Sequence, residues 1–254
     1  MMVADLFRLD GKVAIVTGGS LGLGHQMAMA LAEQGANVVV AARKLDRCEE
    51  VAAEFRTMGV KSIAVKCDVA NTDDCNNLIA ETVKEFGTVD IMVNNAGLSW
   101  GYPTLEYPID KFEYMFKINS IGTYSCAAAS ARVMIDQKKP GKIINLASIG
   151  AIQGSPSLEA IGYGASKAAV VSITKELAVK MAKYKINVNA ILPGWFYTHM
   201  TDKYLKMGGS NAAIPLSRYG GDEDLKGAVV YLASDASNYM TGQLMIIDGG
   251  VSSC

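Results

Sequence analysis

Val13-Ala14-Ile15-Val16-Thr17-Gly18-Gly19-Ser20-Leu21-Gly22-Leu23-Gly24 is the stretch whose reading decides the fold. An apolar, β-branched run enters a glycine turn, and the residues after it, His25 to Gln34, have helical character, so the segment reads strand, turn, helix. Such a turn aims backbone N–H groups and a helix N-terminus at a phosphate, and glycine permits an approach that a Cβ would block. The spacing is Gly-x-x-x-Gly-x-Gly, not the Gly-x-Gly-x-x-Gly of the common fingerprint. In a chain with 25 glycines, the position between strand and helix weighs more than the match itself.

Working outward, short β-branched runs alternate with longer helical patterns. Strands are predicted at 12–17, 37–42, 62–66, 89–93, 142–147, 186–191 and 243–247. Helices are predicted near 23–34, 45–58, 72–86, 110–136, 160–183 and 222–234, with Thr72 and Asp222 as capping residues. Strands separated by crossover helices must run parallel, so the class is α/β: a doubly wound, seven-stranded parallel sheet with helices on both faces. No linker, repeat or low-complexity tract divides residues 1–254, which are read as a single domain. Ligands of such sheets sit at the carboxyl ends of the strands, where Gly18, Asn94, Ser148 and Pro193 all fall.

Composition narrows the classes. Half of the 254 residues are apolar and the formal net charge is −1, so the chain can bury a full core and offers no basic stripe for nucleic acid. No window is apolar enough for a membrane span, and a soluble, cytoplasmic protein is expected. The cysteines at 48, 67, 75, 126 and 254 are scattered, and His25 and His199 lie away from them in sequence, so neither a metal site nor a disulfide framework is expected.

The chemistry is carried by Tyr163-Gly164-Ala165-Ser166-Lys167. Four residues put the phenol and the ammonium on one helix face, where a nearby cation favours the phenolate and makes tyrosine usable as a proton donor and acceptor near neutral pH. By itself the pair is also compatible with a packed tyrosine and a solvated lysine. Its company decides: Ser148 ends a strand with a hydroxyl placed to steady a substrate oxygen, and Asn94-Asn95-Ala96-Gly97 ends another with small residues and carboxamides. Asn119 stands inside a helical pattern, where its side chain is mildly unfavourable, and could hold a water that relays protons to Lys167.

These motifs, in this order from Asp10-Gly11-Lys12 to Asp248-Gly249-Gly250, resemble the short-chain dehydrogenases/reductases over nearly the whole chain. The resemblance implies a Rossmann fold and hydride transfer between a nicotinamide ring and a carbinol carbon. It implies a catalytic set of Asn119, Ser148, Tyr163 and Lys167, with Lys167 also bonding the nicotinamide ribose. Cofactor contacts are implied for Gly18, Ser20, Leu21, Gly22, Leu23 and Gly24, for Asp68 and Val69 by the adenine, for Asn95, Ala96 and Gly97, and for Pro193, Gly194 and Thr198 near the carboxamide. A homotetramer is also implied, joined through helices near 110–136 and 160–183 and through the last strand.

Cofactor choice turns on Val40-Ala41-Ala42-Arg43. Ala42 stands where an acidic residue would hold a ribose 2′-OH, and Arg43 follows, suited to a 2′-phosphate or simply opening an exposed loop. NADP(H) is therefore expected over NAD(H), although Leu21 stands where many NADP enzymes of the family carry a second basic residue. The substrate is a small alcohol or ketone, its pocket formed by Ser99, Trp100, Tyr102, residues 149–156 and a lid at about 195–215 in which Trp195, Phe196 and Tyr197 could stack on a ring. Met200 and Met207 could adapt to its shape, Gly208-Gly209 could hinge the lid, and Lys203 or Lys206 could meet a carboxylate. The Ser148 to Tyr163 spacing is two residues longer than the family's usual one, which predicts an altered pocket wall. Sugar acids of the gluconate 5-dehydrogenase kind are the first expectation, with 3-oxoacyl thioesters and cyclic or steroid alcohols as alternatives. A non-catalytic dinucleotide sensor would not need Ser148, Tyr163 and Lys167 together, and a sugar-nucleotide epimerase would need a larger C-terminal substrate region.

Overall fold

The computed structural model describes residues 2–155, 158–198, 201–202 and 214–253. Seven strands form one parallel sheet: β1 Val13–Thr17, β2 Asn37–Ala42, β3 Ser62–Lys66, β4 Ile91–Asn94, β5 Gly141–Leu146, β6 Ile186–Pro193 and β7 Leu244–Ile247. Their order is β3-β2-β1-β4-β5-β6-β7, so the chain winds outward from β1 in one direction and, after β3, crosses back to continue in the other. That reversal beside β1 opens the crevice in which a doubly wound sheet binds its ligand.

The helices are α1 Gly22–Glu33, α2 Leu45–Thr57, α3 Thr72–Phe86, α4 Ile109–Phe116, α5 Thr123–Asp136, α6 Ile161–Met181 and α7 Lys226–Ala233. Strand alternation sends Ala14, Val16, Val38 and Val40 to one face, against Met27 and Leu31 of α1, Phe55 of α2 and Val229 of α7. The intervening Ile15 and Val39 face the other way, with Leu78 of α3, Ala127 of α5 and Met92 of β4. Both faces of the inner strands are thus covered, and β1 and β5 are buried at every position. Each large side chain wholly withdrawn from water contributes about 2 kcal/mol.

All seven predicted strands are present, β2 and β3 with the predicted bounds and the others with shifted edges. Three helical expectations are corrected. The stretch 110–136 is divided by a wide π turn, Lys117–Gly122, between α4 and α5. The cap of α3 is Asn71, whose Oδ1 accepts the Asp73 N–H at 2.9 Å, while Thr72 is already helical. Asp222 caps nothing: it accepts from Gln26 Nε2 at 3.0 Å, and α7 starts only at Lys226 behind Leu225.

Candidate active site

The glycine turn leaves β1 with Gly18 at φ 65°, a left-handed conformation that suits glycine. A Cβ there would stand 2.7 Å from Asn95 Nδ2, because that amide reaches over to bond Thr17 O at 2.9 Å and Gly18 O at 3.2 Å. The end of β4 therefore latches the turn through a carboxamide on main-chain oxygens. Helix α1 then begins with Leu21 at its cap, with no side-chain cap and no acidic residue in the first turn. Its N-terminal N–H groups and positive dipole end are left to a negatively charged guest.

This cradle opens into a crevice of about 810 Å³ along the carboxyl ends of the strands. Lining it are Gly18, Ser20, Leu21, Gly22, Leu23, Gly24, Arg43, Asp68, Val69, Asn95, Ala96, Gly97, Pro193, Gly194 and Thr198, together with Ser148, Tyr163 and Lys167. A cradle built from glycine, an uncapped helix start and a long crevice with a basic mouth fits a dinucleotide. Sequence reasoning missed Lys44 and Arg47, which join Arg43 at that mouth; the cue was three cations within five residues. Among the described residues no carboxylate pairs with any of the three.

Tyr163 and Lys167 lie one turn apart on α6, with Lys167 Nζ 5.9 Å from the tyrosine ring centre. Lys167 is buried, donates to the Leu146 carbonyl at 2.6 Å, and is pulled down by burial to about 8. Tyr163 departs from expectation: burial raises its pKa above the ordinary tyrosine value, and the opposing pull comes from a hydrogen bond with Ser148 rather than from Lys167. Ser148 Oγ also accepts the Gly150 N–H at 3.1 Å, which fixes the hydroxyl beside the crevice.

Asn119 does not line the crevice. It sits in the π turn, fully buried, with Oδ1 accepting the Leu98 N–H at 2.9 Å. Its Nδ2 donates to Leu98 O and Ser166 Oγ, each at 2.9 Å. Ser166 Oγ in turn donates to Tyr163 O at 2.8 Å, so the carboxamide ties the loop after β4 to the first turn of α6. Gly97 lies between the two groups: a Cβ there would stand 3.1 Å from Asn119 Oδ1 and 3.4 Å from Lys167 Nζ.

The expected substrate wall is only partly in place. Ser99, Trp100 and Tyr102 stand outside this crevice, where Trp100 carries the Lys111 ammonium 5.1 Å above its ring. Phe196, expected to stack on a substrate, lines the crevice while packing into the core against Gly220. Tyr197 remains exposed and meets Tyr219 edge-on at 5.0 Å. Pro156, His199, Met200 and residues 203–213, which include Lys203, Lys206, Met207 and the Gly208-Gly209 hinge, lie outside the described residues, as does Cys254. There is no cluster of potential metal ligands, and no helix is long and apolar enough to cross a membrane, among the described residues.

A doubly wound sheet with a phosphate cradle leading to a serine, a tyrosine and a lysine defines a dinucleotide-dependent oxidoreductase. The family described as Enoyl-(Acyl carrier protein) reductase matches residues 18–252. A 3-oxoacyl-[acyl-carrier-protein] reductase of Synechocystis is 37% identical over 245 residues, 96% of this chain and 98% of that protein. The crystal structure of a short-chain type dehydrogenase/reductase from Mycobacterium marinum superposes with a TM-score of 0.97 at 39% identity, covering 100% of both chains. A gluconate 5-dehydrogenase from Burkholderia cenocepacia, solved with NADP and tartrate, gives 0.95 at 33% identity, again over 100% of both. The chain belongs to the short-chain dehydrogenase/reductase family, and it is an oxidoreductase that interconverts an alcohol and a ketone by hydride transfer.

Proposed function

We propose that the protein is an NADP(H)-preferring dehydrogenase of a small polar secondary alcohol, with a sugar acid as the favoured substrate class. The observation that carries this is the meeting of Ser148, Tyr163 and Lys167 with the glycine cradle in one crevice. A bound nicotinamide supplies the hydride chemistry. Tyr163 gives or takes the hydroxyl proton, and Ser148, lining the same crevice, steadies the reacting oxygen. Lys167, drawn down to about 8, holds a proton close to release at neutral pH and contributes positive charge beside the phenol. Asn119 is assigned as a positioning residue that holds Leu98 and Ser166 in register with these groups.

NADP(H) is supported by Ala42 at the end of β2 and by Arg43, Lys44 and Arg47 at the mouth, with NAD(H) as the second cofactor. The sugar-acid assignment is supported by the likeness to the gluconate 5-dehydrogenase, and a 3-oxoacyl thioester is the alternative carried by the Synechocystis relative. The four described cysteines are free, in keeping with a reducing cytoplasm.

The test is turnover of Tyr163→Phe across sugar acids, polyols, hydroxyacyl thioesters and cyclic alcohols with both cofactors. Loss of nearly all activity with cofactor affinity retained is expected, and near-native turnover of the variant would refute the assignment.

A further inference from the structure

At the opposite end of the sheet from the crevice lies a second cavity, of about 750 Å³, that hydride transfer does not use. It opens at the amino ends of β1, β4, β5 and β6, where Lys12, Asp90, Lys142 and Lys185 stand at or just before the first residues of those strands. Lys142 is buried, and its Nζ donates to Asn187 Oδ1 at 3.0 Å, Ser237 Oγ at 3.2 Å and Asn238 Oδ1 at 2.8 Å. Its three N–H groups are thus met by neutral oxygens, and among the described residues no carboxylate pairs with Lys12, Lys142 or Lys185. A buried cation is left short of countercharge, and burial draws it down to about 8. The two carboxylates of the cavity are engaged elsewhere: Asp90 accepts the Val13 N–H at 2.8 Å and Asp235 accepts from Asn238 Nδ2 at 3.2 Å. Lys185 adds an independent observation. Directly after the short helical turn Ala182–Tyr184 it adopts φ 61° and ψ 32°, a left-handed conformation that glycine or asparagine would take with less strain. Strain of this kind gathers at functional positions.

We propose that this cavity binds a phosphorylated small molecule, with the phosphate held by the Lys12 and Lys185 ammonium groups above the buried charge of Lys142. Lys12 and Lys185 are exposed and free to turn toward an anion, whereas Lys142, its N–H groups spent, supplies field and no direct contact. Lysine meets phosphate as a point charge, so a dianion is selected by charge rather than by a fixed fork of donors. The organic part has its own surface: Tyr239 is fully exposed at the same cavity, and the buried side chains of Leu9 and Ile186 form apolar floor. A cavity of this size suits a small organic ligand. It shares no lining residue with the crevice, so its occupant and the cofactor bind without competing. The site stands whether or not the substrate reading of the crevice holds.

The experiment is a calorimetric titration of the full chain with phenyl phosphate, after NADP(H) has been titrated to saturation so that the phosphate cradle of the crevice is filled. One further site per chain is expected, binding phenyl phosphate several-fold more tightly than inorganic phosphate. Lys12→Ala and Lys185→Gly should each weaken phenyl phosphate about tenfold, the loss of one charge-assisted contact, and leave the NADP(H) titration unchanged. Lys185→Gly should also keep or raise the Tm, because glycine relieves the left-handed backbone; a lysine with a merely structural part would lower it. Absence of heat from millimolar phenyl phosphate, or equal binding by wild type and both variants, overturns the site. Equal affinity for phenyl phosphate and inorganic phosphate overturns the part given to the apolar surface. No readout needs turnover, so failure here is distinguishable from failure of the Tyr163→Phe test, and failure of the cofactor reading shows in the first titration.

Discussion

Arg43 is the single side chain on which cofactor choice is expected to turn. A charge-assisted contact to a 2′-phosphate is worth about 1.5–3 kcal/mol, which corresponds to roughly tenfold to a hundredfold in affinity. Arg43→Ala should lower kcat/KM for NADP(H) by about that factor and leave NAD(H) nearly unchanged; steady-state kinetics with each cofactor decides, and a parallel loss for both removes the assignment. Arg43 was legible because Ala42 leaves an acidic position empty of charge. Lys44 and Arg47 were not, since cations at the start of an exposed helix look the same whether they face water or a ligand. The Tyr163 and Lys167 pairing was legible from its spacing alone, but the direction in which Tyr163 is displaced depends on burial that only the folded chain creates.

At the scale of elements, the strands were readable because β-branched runs between glycine and polar breaks carry their own signal, whereas helix edges were less so. Asn71, one residue before the predicted cap, is the clearest instance. Asn71→Ala should cost about 1 kcal/mol of stability by stripping the Asp73 N–H of its acceptor, with turnover preserved. Chemical denaturation measures this; an unchanged midpoint would leave α3 without need of its cap. The only sequence sign of the π turn was Asn119, mildly unfavourable inside a helix. The turn follows tertiary demands: Asn119 bonds across to Leu98 and Ser166, and Ser120 donates to Ser166 O at 2.9 Å. Side chains bonded to other elements, not local propensity, set the winding there.

For the molecule as a whole, the expected tetramer would bury apolar groups that the single chain leaves on its surface: Ile121 and Tyr124 on the α4 to α5 stretch, Val179 at 79% exposed on α6, and Ile246 on the edge strand β7. Tyr124→Arg combined with Val179→Arg should shift the sedimenting species from four subunits toward smaller forms, and a wild-type chain that sediments as a monomer would dispose of the assembly. The parallel, doubly wound sheet and the convergence of distant motifs at the carboxyl ends of its strands were foreseeable from alternating strands and helices. The lid was not, because the burial of loop residues is set only by the folded chain: Phe196 packs into the core while lining the crevice, and Tyr197 beside it faces water. Lys117–Gly122 couples these scales in one further way. A π turn takes up one extra residue in a single wide turn, so restoring ordinary winding there with every residue kept would swing the rest of α5 by about 100° about its axis. Cys126 and Met134 would rotate out of the core and the exposed Tyr124 would leave its place on the surface. The wide turn is therefore a phase setting: it absorbs one residue in place and so keeps the reacting groups and the outer face in step, and losing it would damage both at once where exchanging a side chain would touch only one.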